Sequence, residues 1–356
     1  MVRTLFISLP LMVCLFWAVF FVIRLFRHNE EKRVTGVLVA FFSAATILYF
    51  DHWLYYSGVV ETAGEWSYGV VNLCVYPLYF AYLRALTRTH ANGGELYLLL
   101  LPAVMAVFLF PIGRFGGLIN DNTLFLIIRI CFSIQVVWVL VRGYQLLLRT
   151  IRRMDNTYSD DRSRLLHPTR VLLVLFGITA VVSMILNFMG RDYFAQTAPV
   201  VLPAVIMTIL LYGLGFVAAH TYVPQETVSE EPETAPHAPE EEANTLIHKI
   251  DTAMQEKQLY KNSGLTIIDL ASSVNSNRTY VSNCINRTYG ISFSQYVARF
   301  RVEEAKRILA DHAYAQDKEA LIDAVALSGF MSDQTFYRVF KEQTGMTPLQ
   351  FRHQQK

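Results

Sequence analysis

The chain has 356 residues, of which 53% are hydrophobic and 17% charged, with a formal net charge of +2. Soluble domains carry about 25% charged residues, so the composition excludes a description of the whole chain as one water-exposed globule. The charge falls in three regimes, +6 over residues 1–220, −7 over 221–243 and +3 over 244–356, which implies three parts.

In chain order, apolar runs fall near 5–26, 34–56, 68–86, 96–112, 123–148, 170–189 and 199–219. A hydrocarbon core of about 30 Å needs about 20 apolar residues as helix, so these read as seven transmembrane helices. The first run is too long for a signal-peptide core, and no small-residue cleavage site follows it. The fourth is short, and Pro111 is expected to end it. The fifth is long and is expected to tilt or project. The loops after runs one, three and five hold twelve Lys and Arg, among them Arg149, Arg152 and Arg153. The N-terminus and the other loops hold Arg3, Arg114 and Arg191. This alternation places the N-terminus outside and residue 220 onward in the cytoplasm of a bacterial inner-membrane protein. Trp53, Tyr55, Tyr56 and Trp66 cluster where an outer aromatic belt belongs.

Polar side chains within such runs are functional candidates. Asp51, His52, Asn72, Arg129 and Asn187 lie toward the outer half and form a candidate site for a small polar or anionic signal molecule. The alternative is that Arg129 snorkels to the interface and Asp51 and His52 sit within it. No HExxH, GxSxG or phosphate-binding loop is present, so no enzyme, metal or cofactor is indicated. The four cysteines, Cys14, Cys74, Cys131 and Cys284, have neither zinc nor disulfide-framework spacing.

Residues 221–243 are rich in Glu, Pro, Thr and Ala. Such a segment buries too little apolar surface to offset its ordering entropy. It reads as an acidic linker, reaching roughly 26 Å as a flexible coil and roughly 70 Å if extended.

Residues 244–356 contain a duplicated unit. "LTIIDLASSVNSNRTYVSNCINRTYG" (265–290) aligns with "ALIDAVALSGFMSDQTFYRVFKEQTG" (320–345) on the closing glycines Gly290 and Gly345. Each unit predicts a short helix, a turn, and a second helix capped by Asn277 or Ser332. Val281 and Ile285, like Phe336 and Phe340, are spaced to face inward. The polar faces then carry Arg278, Thr279, Ser282 and Asn283 in the first unit, and Asp333, Gln334, Thr335 and Arg338 in the second. Arg reads guanine, and Asn or Gln reads adenine, in the major groove. Arg287 and Lys341 follow on the same helices. A connecting helix, "SFSQYVARFRVEEAKRILAD", offers Arg299 and Arg301 to backbone phosphates and has an apolar stripe of Tyr296, Phe300, Ala305, Ile308 and Leu309.

On "DLASSVNSNRTYVS", "RVEEAKRIL" and "SGFMSDQTFYRVFKEQTGMTPLQFR", residues 263–352 resemble the DNA-binding domain of the AraC/XylS family of bacterial transcription regulators. The resemblance covers about a quarter of the chain. It implies a seven-helix domain whose two helix-turn-helix units bind adjacent major-groove segments, with the eight polar-face residues above matching base-contacting positions. Ile285–Asn286 departs from the family's usual Phe–Lys and removes one phosphate contact.

The sequence therefore predicts an all-α protein: a seven-span domain (1–220), an acidic linker (221–243) and a double helix-turn-helix domain (244–356). The expected function is a membrane-embedded one-component transcription regulator that binds double-stranded DNA as a homodimer and senses a signal through its spans. A transporter or receptor with a fused autoregulatory DNA-binding domain is the alternative.

Overall fold

The computed structural model describes residues 2–27, 32–59, 65–87, 94–116, 121–189, 201–221, 240–311 and 316–355. Among them there are fourteen α-helices, two short 3-10 turns and no strand. They form two compact units. One comprises Met1–Leu148 with Leu165–Pro224, and the other Arg149–Arg164 with Gln225–Lys356. Most of the acidic linker, 222–239, lies outside the described residues.

The first unit is built from α1 (Val2–Arg27), α2 (Lys32–Tyr56), α3 (Glu65–Leu86), α4 (Gly94–Gly116), α5 (Asp121–Thr157), α6 (His167–Met189) and α7 (Val201–His220). These helices follow the seven apolar runs. Six stretches are long and apolar enough to cross a membrane: Leu5–Arg27, Lys32–Tyr56, Ser67–Leu86, Thr123–Thr157, Arg162–Val182 and Val201–His220. The described apolar stretch of α4, Gly94–Phe108, is shorter. Pro111 does not end α4, which runs on to Gly116. A proline loses its own N–H bond but leaves the helix beyond it free to continue.

Helix α1 packs on α2 and α7, α2 on α3, α3 on α4, and α6 on α7. Gly215 of α7 lies against the Trp17 indole, where a Cβ would overlap the ring. A small residue at such a crossing lets two apolar helices approach closely. Leu73, Ala103, Phe132, Val136 and Ala180 form a core shared by α3, α4, α5 and α6. Arg24 donates to the carbonyl of Ala219 at 2.8 Å, which satisfies an otherwise open acceptor in the last turn of α7. The outward faces are apolar: Phe26 is 84% exposed, and Ile134 and Ile209 are each 64% exposed.

The second unit contains the end of α5 and seven further helices, α8 (Glu240–Glu256), α9 (Ile267–Ser273), α10 (Arg278–Tyr289), α11 (Phe293–Ala310), α12 (Asp317–Leu327), α13 (Asp333–Thr344) and α14 (Pro348–Gln355). Two cores are strung along α11. Its first half (Phe293, Tyr296, Val297) packs with Ile250 and Met254 of α8, Leu270 of α9, and Val281 and Ile285 of α10. Its second half (Val302, Ala305, Leu309) packs with Ala320 and Ala324 of α12 and with Phe336 and Phe340 of α13. Val281, Ile285, Phe336 and Phe340 are fully buried, as their spacing predicts. Asp251 joins the elements of the first core, accepting from the Tyr289 hydroxyl at 2.5 Å and the Tyr296 hydroxyl at 2.6 Å.

Candidate nucleic-acid interface

The two helix-turn-helix units are assembled by local rules. Thr266 and Asp269 form a capping box that starts α9. Asn277 caps α10, its Oδ1 accepting from the Tyr280 N–H at 2.9 Å. Ser332 caps α13, its Oγ accepting from the Thr335 N–H at 3.3 Å. Both second helices close on a left-handed glycine, Gly290 at φ 70° and Gly345 at φ 78°. The turn before α13 depends on Gly329, whose φ is 87° and whose missing side chain admits the backbone of Tyr260 and Lys261. The second unit is thereby locked onto the 3-10 turn Leu259–Lys261 of the first half.

The polar faces predicted for α10 and α13 carry the expected residues. On α10, Asn283 and Arg287 are exposed, while Arg278, Thr279 and Ser282 are half-buried. On α13, Asp333, Gln334 and Lys341 are exposed, and Thr335 and Arg338 are half-buried. Arg299 is exposed and stands over the Tyr289 ring at 5.6 Å. These side chains offer hydrogen-bond donors and acceptors of the kinds that pair with base edges and phosphates.

Arg301 corrects the sequence reading. It was expected at the phosphate backbone but is 2% exposed. Its Nε donates to Tyr260 O at 2.8 Å, and Nη2 to Asn262 O at 2.8 Å and to Ser159 Oγ at 3.0 Å. Nη1 donates to Ser159 O at 3.1 Å. Burial lowers its pKa to about 10, with Asp160 acting in the opposite sense, so it stays charged at neutral pH. A buried guanidinium needs such a full set of acceptors. On the same helix, Glu304 holds Arg307 at 2.9 Å and Lys261 at 2.9 Å. The bond from Arg307 chiefly holds the Glu304 carboxyl below the usual range, against the effect of burial.

Sequence reasoning missed the segment that supplies Ser159. Tyr158 forms an antiparallel bridge with Thr266, and the Ser159 N–H donates to Leu265 O at 3.1 Å. Asp161 pairs with Arg338 and accepts from Arg164 at 2.7 Å. Arg338 also holds Glu342 at 2.5 Å. The available signal was the pair Asp160–Asp161 in a loop otherwise rich in arginine.

The candidate ligand residues lie in the first unit. Asp51 is buried and accepts from the Ser67 hydroxyl at 2.9 Å. The His52 ring lies 5.1 Å from that of Tyr68. Asn72 is buried and Arg129 half-buried, and Asp51 and Arg129 form no ion pair among the described residues. Asn187 belongs to α6, and its side chain lies outside the described residues.

A family profile described as a helix-turn-helix domain matches residues 270–354. Over 98 residues the chain is 30% identical to the probable transcription factor PqrA of Proteus vulgaris, a stretch that covers 27% of this chain and 75% of that protein. The chain belongs to the AraC family of helix-turn-helix regulators. The chain is also 32% identical over 88 residues to the melibiose operon regulatory protein of Escherichia coli K12, across 25% of this chain and 28% of that one. It is 34% identical over 88 residues to the uncharacterized HTH-type transcriptional regulator YisR of Bacillus subtilis, across 24% and 29% of the two chains. The chain thus spans less than a third of these two relatives. No solved structure matches the chain significantly. The helix-turn-helix profile accounts for residues 270–354 and does not extend to α1–α7.

Proposed function

We propose that this protein is a membrane-embedded one-component transcription regulator. Helices α1–α7 lie in a bacterial inner membrane with the N-terminus outside, and the AraC-type domain binds specific double-stranded DNA in the cytoplasm. The observation that carries this reading is the union in one chain of two capped helices with exposed Asn283, Arg287, Gln334 and Lys341 and six helices of membrane-spanning length. The apolar outward faces of the first unit suit lipid, and the loop arginines suit the proposed orientation. The signal is a small polar molecule or a membrane component, received at a site that includes Asp51, His52, Asn72, Arg129 and Asn187. Two copies act on DNA, because a net charge of +3 over residues 244–356 gives weak non-specific attraction to a single domain.

The test is selection from a random duplex pool by the full-length protein in native membrane vesicles, followed by footprinting. The protein should stay with the membrane after alkaline carbonate washing and protect a site of about two helical turns. Release by carbonate, or absence of sequence preference at every salt concentration, would refute the reading.

A further inference from the structure

We infer that residues 158–164 are an autoinhibitory strap that holds the second recognition helix away from DNA. The inference rests on the DNA-binding reading of the AraC-type domain. The strap is anchored at three places in its own unit. Tyr158 and Ser159 pair with Thr266 and Leu265 at the start of the first helix-turn-helix unit. Ser159 accepts two of the donors of Arg301 on the connector. Asp161 pairs with Arg338 on α13, and Arg164 reaches Glu342 of the same helix at 3.5 Å. Tyr158, Ser159 and Ser163 are all buried, so the segment is seated and not merely adjacent.

The contact with Arg338 excludes the function assigned to that residue. Its Nη1 is held by Glu342 and its Nη2 by Asp161. Forking onto a guanine requires two parallel donors directed at O6 and N7. At least one of the two carboxylates must therefore release its nitrogen before the fork can read a base. Asp161 places negative charge where a duplex would bring its own, so strap and DNA compete for one cation. The strap follows α5 directly in sequence. A signal that changes α5 therefore has a path along the chain to the strap, and so to α13, other than residues 221–243.

Full-length protein in detergent micelles tests this, with the duplex selected as above and binding read by fluorescence anisotropy. A partly exposed ion pair shifts a local equilibrium by up to about fivefold. Asp161→Asn should therefore tighten operator binding by about fivefold, and Asp161→Lys by about tenfold or more. Glu319→Gln, the same charge change at an exposed site on α12, should alter it by less than about twofold. Hydrogen exchange at 158–164 should accelerate when the duplex binds wild-type protein. If wild type binds specifically while Asp161→Asn binds no tighter than Glu319→Gln, or if 158–164 keeps its protection on DNA, the strap is a structural part of the domain and the inference fails. If neither wild type nor variant shows sequence preference, the DNA-binding reading falls and the inference with it.

Discussion

Replacing Gly329 with alanine separates two effects that glycines usually combine. At Gly345, φ is 78° and a Cβ would enter open space. Gly345→Ala therefore meets only the left-handed backbone penalty, about 1 kcal/mol. At Gly329, φ is 87°, and a Cβ would stand 2.8 Å from Lys261 Cα and 2.9 Å from its carbonyl carbon, besides overlapping Tyr260 O. The obstacle is backbone, which cannot rotate aside. Displacing it adds about 1–3 kcal/mol, for a total of about 2–4 kcal/mol. Each 1.4 kcal/mol is about a factor of ten in an equilibrium. Hydrogen exchange of the full-length protein should then speed up about 30-fold or more in α13 and around 259–261 for Gly329→Ala, and by less than about tenfold near Gly345 for Gly345→Ala. Operator affinity should fall in the same order, because the Gly329 turn sets where α13 begins. Equal effects of the two substitutions would refute the claim that backbone approach, and not φ alone, demands glycine at 329.

Two further outcomes are expected. Arg338→Ala should lose about 1–3 kcal/mol of discrimination at one base pair while keeping salt-sensitive binding, whereas Lys341→Ala should weaken all duplexes alike and reduce the salt slope by about one; titrations over a range of salt distinguish them. The Tyr289 phenol is pushed up to about 12 by burial and by the Asp251 carboxylate, and Tyr296 is raised by the same causes. The folded state thus holds these protons more tightly than the unfolded chain, whose phenols titrate near 10. Their contribution is complete below about pH 10 and is lost as pH rises toward 12, so the thermal midpoint of the second unit should drop over that window, and less steeply in Tyr289→Phe.

The features legible in the sequence are those that neighbouring residues decide. Asn277 and Ser332 cap helices because each reaches an N–H three residues on, and Gly290 and Gly345 close them because the left-handed turn is a property of one residue. The inward spacing of Val281, Ile285, Phe336 and Phe340 follows from the helical period alone. Arg301 was misplaced because its partners at 159, 260 and 262 are remote in sequence, and an arginine on an amphipathic helix looks exposed until those carbonyls converge on it. The strap was illegible for the same reason: the loop's excess of arginine masked a single aspartate aimed at α13. Pro111 looks like a stop in the sequence because a proline's local effect is unfavourable, yet α4 carries it through.

The placement of Arg149–Arg164 with Gln225–Lys356 makes the DNA-binding body discontinuous along the chain. The stretch that resembles other regulators is only the longer of its two pieces. A fragment cut out at residue 240 would keep both recognition helices but leave two Arg301 donors facing water and the Leu265 carbonyl without its Ser159 partner. Hydrogen bonds to a charged group contribute about 1.5–3 kcal/mol each, a large fraction of the stability of a domain this size. Such a fragment would bind DNA without restraint and unfold more readily, so gain of binding and loss of stability would be inherited together from a single missing turn of chain.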